Sequence, residues 1–446
     1  MRQIGFATLV LLSVMLSITA RAQTSQSASP DDTARFLAGM PLPPESPLGP
    51  LAQDPYVKQH AAYFDAAFGD VQTNKLSKIR VWSNAHLTTP KPAMFYMFGG
   101  PDFLYADTFF PNATTYVLSG LEPTGSVPDL MKLPRGSIAP ALGHIQGSLR
   151  NIMALSYFIT ANMSHDLGSG PLNGTLPILY VFLARSGKTI HDVSLVHLDE
   201  QGALHPGESP SAPARGVKIV FSDKDGPQKT LYYFSTNLEN QPKRDIALLQ
   251  FCKSLGQGDS FVKSASYLLH GEHFSQVRNF LLENSSLILQ DDTGIPVSYF
   301  DAEKWQLRPF GRYTSPIPIF AGMYQTKLNE LFQKFRPDPI DFGVGYRFGP
   351  NESNLMLAAR NPISPEMADS IAKDDAQRKA GLEVTVTAEA PAKEPTLGSR
   401  GVVRQVARAP QNALVGQRGA WSSSYASGYP GSYTSSNTEF YGTANY

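Results

Sequence analysis

The sequence predicts an α/β protein: a single three-layer domain with a mixed, mostly parallel sheet covered by helices, followed by a disordered C-terminal tail. Three observations lead there. Apolar runs without alternation, such as residues 93–98, require burial on both faces, which a helix-covered parallel sheet provides. Segments with helical spacing of apolar residues are interleaved with these runs. Between residues 54 and 350 there is no fixed-period repeat and no linker, and a domain of about 300 residues can bury roughly 75% of its unfolded surface.

The elements follow in chain order. Asp54-Pro55 is an N-cap followed by a proline in the first turn, and Tyr56, His60, Tyr63, Phe64 and Ala67 then share a helix face. Residues 93–98 read as a strand stopped by Gly99-Gly100-Pro101, with Gly100 as the cap of a short helix over residues 102–110. A second strand at residues 114–118 completes a βαβ unit. Residues 137–159 form a long helix, with Leu142, Ile145, Leu149, Ile152 and Leu155 at spacings of three and four. Residues 176–184 read as a buried strand and residues 189–198 as a partly alternating one. Residues 218–221 and 230–234 form an antiparallel hairpin through Asp225-Gly226. Helices over residues 244–255 and 259–283 lead to a second hairpin, residues 286–290 and 295–300, turning at Asp291-Asp292-Thr293-Gly294. A strand near residues 305–309 and a helix over residues 323–335 close the domain.

The ends read differently. Residues 1–22 have the form of a secretory signal, with Arg2, an apolar stretch over residues 4–18 and Ala20-Arg21-Ala22 as a small-x-small cleavage site. Fifteen residues interrupted by Thr8, Ser13 and Ser17 fall short of the ~20 that cross a bilayer, so no stable membrane span is expected after cleavage. Residues 23–53 read as an extended, proline-rich arm anchored by Leu42 and Leu48. Residues 351–446 read as a low-complexity tail. Its last 28 residues hold seven Ser, five Tyr and four Gly with Glu439 the one charge, too little apolar surface to offset chain entropy. Residues 382–387 alternate like a lone strand that could add to the sheet of a protein partner.

Composition excludes several functions. Lys+Arg and Asp+Glu are balanced at 38 each, which argues against nucleic-acid binding, a function that needs a basic face. A single cysteine, Cys252, rules out an intrachain disulfide and any multi-cysteine metal site. No GxGxxG, Walker, GxSxG, HExxH or EF-hand pattern occurs. Gly187-Lys188-Thr189 has only the tail of a Walker loop, because Phe182 stands where its leading glycine belongs. No cofactor and no metal is expected. The histidines of His270-Gly271-Glu272-His273 could share a helix face but lack a third ligand, and His165-Asp166 has no matched nucleophile.

What remains is the pair of strand ends Phe98-Gly99-Gly100-Pro101-Asp102 and Ser119-Gly120-Leu121-Glu122-Pro123. In open α/β sheets ligands sit beyond the carboxyl ends of strands, so both loops should open on one crevice. Gly99 and Gly100 would let the backbone approach a ligand, and Asp102 and Glu122 would accept its hydrogen bonds. Arg185 would anchor an anionic group from the sheet's edge. The reading is an exported bacterial α/β protein, secreted or periplasmic, that binds a small polar molecule at this crevice. Two alternatives stay open: an envelope hydrolase with an unusual site, and an assembly or surface protein that uses its tail. Whether the protein is an enzyme is left open.

Overall fold

Ten strands form one sheet in the order β4-β3-β5-β6-β2-β1-β7-β8-β10-β9. They are β1 (Ala93–Tyr96), β2 (Thr115–Gly120), β3 (Thr189–Leu198), β4 (Leu204–Pro206), β5 (Ala214–Ser222), β6 (Gln228–Ser235), β7 (Gly258–Val262), β8 (Ser285–Gln290), β9 (Trp305–Gly311) and β10 (Asn354–Arg360). The structure is a computed structural model that describes residues 27–158, 168, 170–241 and 245–388. The expected signal segment, His165-Asp166 and the Ser/Tyr-rich end lie outside the described residues.

The sheet is mixed and the α/β class holds, but the balance of strand directions differs from expectation. Four neighbouring pairs are parallel and five antiparallel. The parallel pairs are contiguous, β6-β2-β1-β7-β8, so the centre of the sheet is parallel and both flanks are antiparallel. Alternation along β1 shows why its run is apolar throughout. Met94 and Tyr96 enter one core, with the helices Pro30–Leu37, Pro55–Val71, Phe103–Phe109 and Leu176–Arg185, whereas Ala93, Phe95 and Met97 enter the other, with Ala247–Ser254 and Ser275–Asn284.

Several elements depart from the sequence reading. Residues 176–184 are a helix, Leu176–Arg185, with Leu176 to Ala184 all buried. Pro177 belongs in a first helical turn, where its missing N–H costs nothing, while in a central strand it would remove a ladder hydrogen bond. Part of the expected helix over residues 259–283 is instead β7, at the middle of the sheet with all five residues buried. Its polar residues find partners distant in sequence: Lys91 N donates to Asp259 Oδ2 at 2.7 Å, leaving Oδ1 without a hydrogen bond, and the Ser260 and Ser285 hydroxyls meet at 2.7 Å. The second hairpin does not form, because β8 pairs with β7 and β10 and residues 297–299 make a 3₁₀ turn.

Both expected domain ends also shift. Within the arm of residues 23–53 lies a buried helix, Pro30–Leu37, capped by Ser29 Oγ accepting from Asp32 N at 3.0 Å. Beyond residue 350, β10 inserts between β8 and β9, burying Leu355, Met356 and Leu357. Residues 382–387 fall in the helix Pro365–Ala388, not in a strand. The sheet belongs to one compact unit, Met1–Glu383; of a second, Val384–Tyr446, the described residues are the end of that helix. Among the described residues no helix is long and apolar enough to cross a membrane.

Candidate functional site

The two strand ends singled out in the sequence meet. Gly100 N donates to Ser119 O at 3.0 Å, and Ser119 Oγ donates to Met97 O at 2.5 Å, tying the tips of β1 and β2 together. Gly99, Gly100, Asp102, Gly120 and Glu122 all line one cleft of about 220 Å³. The glycines serve this junction. A side chain on Gly99 would strike the Tyr96 ring at 2.3 Å, Gly100 has a left-handed φ of +60°, and a Cβ on Gly120 would lie 2.5 Å from Glu122 Oε2.

Asp102, rather than Gly100, is the N-cap of helix Phe103–Phe109, with Oδ1 accepting from Tyr105 N at 3.1 Å. Its Oδ2 accepts from Tyr96 OH at 3.0 Å and from Lys263 Nζ at 2.9 Å, and both charged side chains are only 1% exposed. Lys263 Nζ also donates to Ser156 O and lies 4.1 Å from the Tyr105 ring centroid. Burial, then the Asp102 charge, pushes the Tyr96 phenol well above its ordinary range, so it stays a donor. Glu122, 7% exposed, sits against Tyr233, whose hydroxyl donates to Glu122 O at 2.8 Å.

Two more strand ends complete the cleft, Thr236, Asn237 and Leu238 after β6 and residues 263–266 after β7, while Asp291, just after β8, lies behind the lining against Ser264. Asp291 Oδ2 accepts from Ser264 N at 2.9 Å, and its Oδ1 from Thr293 N at 3.0 Å. Burial and then the neighbouring Asp292 raise the Asp291 carboxyl above the usual carboxylate range. Asp292, also raised by burial, accepts from Tyr267 OH at 2.5 Å and Asn354 Nδ2 at 3.1 Å.

The β7 lip carries backbone strain. Ser264, Ser266 and Tyr267 have φ of 53°, 49° and 58°, and Ser156, whose carbonyl receives Lys263, has φ of 70°. None is glycine, and each such residue costs of order 1 kcal/mol unless its surroundings impose it. Tyr346 folds over this lip, its hydroxyl 3.1 Å from Ser264 O and 2.8 Å from Ser266 Oγ.

The other sequence candidates lie elsewhere or in other roles. Arg185 is outside the cleft: Nε donates to Ala38 O at 2.8 Å and Nη1 pairs with Asp65 at 2.6 Å. Lys188 bonds Asp107 and Asp223, so the Walker-like tail is an ion-pair network. His270 and His273 sit in separate 3₁₀ turns rather than on one helix face. Cys252 is buried, with its thiol pushed up by burial. Asp291 and Asp292 do not turn a hairpin; they follow β8, with Asp291 accepting from Ser264 N at the cleft lip. Lys263 is the residue sequence reasoning missed, because β7 read as helix. Comparison of the chain with models of protein families, with curated proteins and with solved structures finds no match.

Proposed function

We propose that the chain is an exported α/β protein that binds a small polar molecule in the cleft at the carboxyl ends of the parallel strands β6, β2, β1 and β7. The observation that carries this reading is the buried Asp102–Lys263 pair, opening on the cleft beside three non-glycine residues held at positive φ. Such strain persists where the surroundings over-determine it, and it gathers at ligand clamps and active sites. At about 220 Å³ the cleft is smaller than the roughly 300–1,000 Å³ of sites for drug-sized ligands, so the ligand is metabolite-sized or smaller. Asp102→Asn and Glu122→Gln should fold yet lose the thermal stabilisation that a bound metabolite gives, which grows as RT ln(1 + [L]/Kd). Equal shifts in wild type and both variants across a broad metabolite panel would refute it.

A second reading rests on the same pair: a carboxylate and an ammonium 2.9 Å apart in a cleft could relay a proton in a hydrolytic reaction. It requires turnover of some ester or glycoside substrate that Lys263→Met abolishes. Export is supported by the leader-like residues 1–22, and mature protein recovered from the cell envelope should begin at Gln23.

A further inference from the structure

We infer that the ionised Asp291 carboxylate positions the strained lip of the cleft, residues 264–266, and that taking up one proton there loosens it. This rests on the binding role proposed above, names a control on the same site, and is tested without a ligand.

Asp291 forms a bracket behind the lip. Its Oδ2 accepts from Ser264 N at 2.9 Å, while Oδ1 accepts from Thr293 N at 3.0 Å and from Thr293 Oγ1 at 2.5 Å. Thr293 Oγ1 in turn accepts from Ala265 N at 2.7 Å. Two consecutive lip amides therefore end on this one carboxyl, the first directly and the second through a hydroxyl. Gly345, at φ of +70°, packs against the same oxygen: a Cβ there would fall 2.2 Å from Asp291 Oδ2. The next residue, Tyr346, folds over Ser264 O. Asp291 thus touches both halves of the lip, and its bond to Ser264 N helps to impose the φ of 53° at that residue.

Three donors shared between two oxygens suit the ionised form, because a carboxylic acid turns one of its oxygens into a donor. A proton on Oδ2 would face Ser264 N–H. A proton on Oδ1 would take the Thr293 hydroxyl as its acceptor, in competition with Ala265 N–H. Either position weakens the hold on a lip amide. Burial and then the Asp292 charge push Asp291 up to about 7, so both forms are populated near neutral pH. Asp292 is also raised by burial, but it has Tyr267 OH, Asn354 Nδ2 and the Arg347 charge to offset this. Tyr96 from β1, Tyr267 from the lip and Tyr313 also face the pair; all three phenols are raised by burial and keep their protons. Lys263, beside Ser264, is committed to Asp102.

The test is hydrogen exchange of the full chain at about pH 5.5, 7 and 8.5, with labelling times scaled to the intrinsic rate at each pH. Protection of the Ser264 and Ala265 amides should fall about tenfold from the highest pH to the lowest, the loss expected for about one hydrogen bond, with its midpoint near 7. Protection of residues 217–220 in β5 should not fall with it. Asp291→Asn should give the low protection at every pH. Asp292→Asn removes the neighbouring charge and should move the midpoint to lower pH. Should Asp291→Asn not fold, Thr293→Val replaces it: Ala265 then loses protection at pH 8.5 while Ser264 keeps its response. Constant lip protection in the wild type, a fall that survives in Asp291→Asn, or an Ala265 amide indifferent to Thr293→Val would each overturn the inference. A metabolite panel without thermal shifts would strike the binding role and leave the titration of the lip standing.

Discussion

The two rims of the parallel sheet carry buried charge in opposite ways. At the amino-end rim, Lys188 pairs with Asp107 at 2.7 Å and Asp223 at 2.5 Å, while Lys229 pairs with Asp223 at 2.7 Å and donates to Pro111 O at 2.7 Å. Burial would raise the Asp223 carboxyl, but its hydrogen bonds from both lysines outweigh burial and hold it below its ordinary value. Two lysines answer two aspartates, with Arg80 a further 3.7 Å from Asp107. At the carboxyl-end rim, Lys263 answers Asp102 while Asp291 and Asp292 rely on neutral donors, the backbone is strained, and the whole faces a cleft. The proposed binding role falls to the second rim, where the strained backbone and the buried pair border the cleft.

This contrast breaks most readily at its closed end. Lys188→Met strands Asp107, 1% exposed, with Arg80 no nearer than 3.7 Å, and should cost about 3 kcal/mol or more in urea unfolding without changing ligand-induced shifts. At the open end, Asp102→Asn should cost about 2 kcal/mol, because Lys263 keeps Ser156 O and the Tyr105 ring, yet it should abolish those shifts.

A third change sharpens the comparison through pH. Asp259, beside β1 in the sheet centre, is pushed up to about 7 by burial, against which Lys91 N is the one hydrogen-bond donor opposing it. A carboxyl whose folded pKa is raised holds its proton in the native state where the unfolded chain has released it, so stability falls as pH rises from about 4 to about 7 and is flat above. Asp259→Asn keeps an acceptor for Lys91 N and removes the titration. It should gain on the order of 1–2 kcal/mol at pH 8, with little change at pH 4, read from urea midpoints at both. The smallest effect expected is from Ser264→Gly. It relieves a φ of 53° and sacrifices no side-chain hydrogen bond, since Ser264 Oγ has none. A gain of about 0.5 kcal/mol with weaker ligand binding would show strain held for function.

The junction of β1 and β2 was legible because its signals are local: an unbroken apolar run, a glycine stop and an acid after each strand. Gly99, Gly100, Asp102 and Glu122 therefore came together as read. Lys263 was hidden because the strand before it, Gly258-Asp259-Ser260-Phe261-Val262, buries polar groups whose partners, Lys91 and Ser285, are distant in sequence. Residues 176–184 read as a strand for another reason: a nine-residue apolar run fits a buried strand or a buried helix, and Pro177 is the mark that favours the helix. Arg185 looked like an anion anchor, but its partner Ala38 lies just past a helix that the proline-rich composition of the arm concealed.

Hydrogen exchange with and without the most stabilising member of the metabolite panel reads the site directly. Binding at the carboxyl-end rim predicts slowed exchange in residues 98–102, 120–122, 236–238 and 263–266 together, with the amino-end rim around Lys188 and Lys229 unchanged. Protection confined to the hollow at Pro123 and Arg215, or no change at residues 263–266, would contradict it.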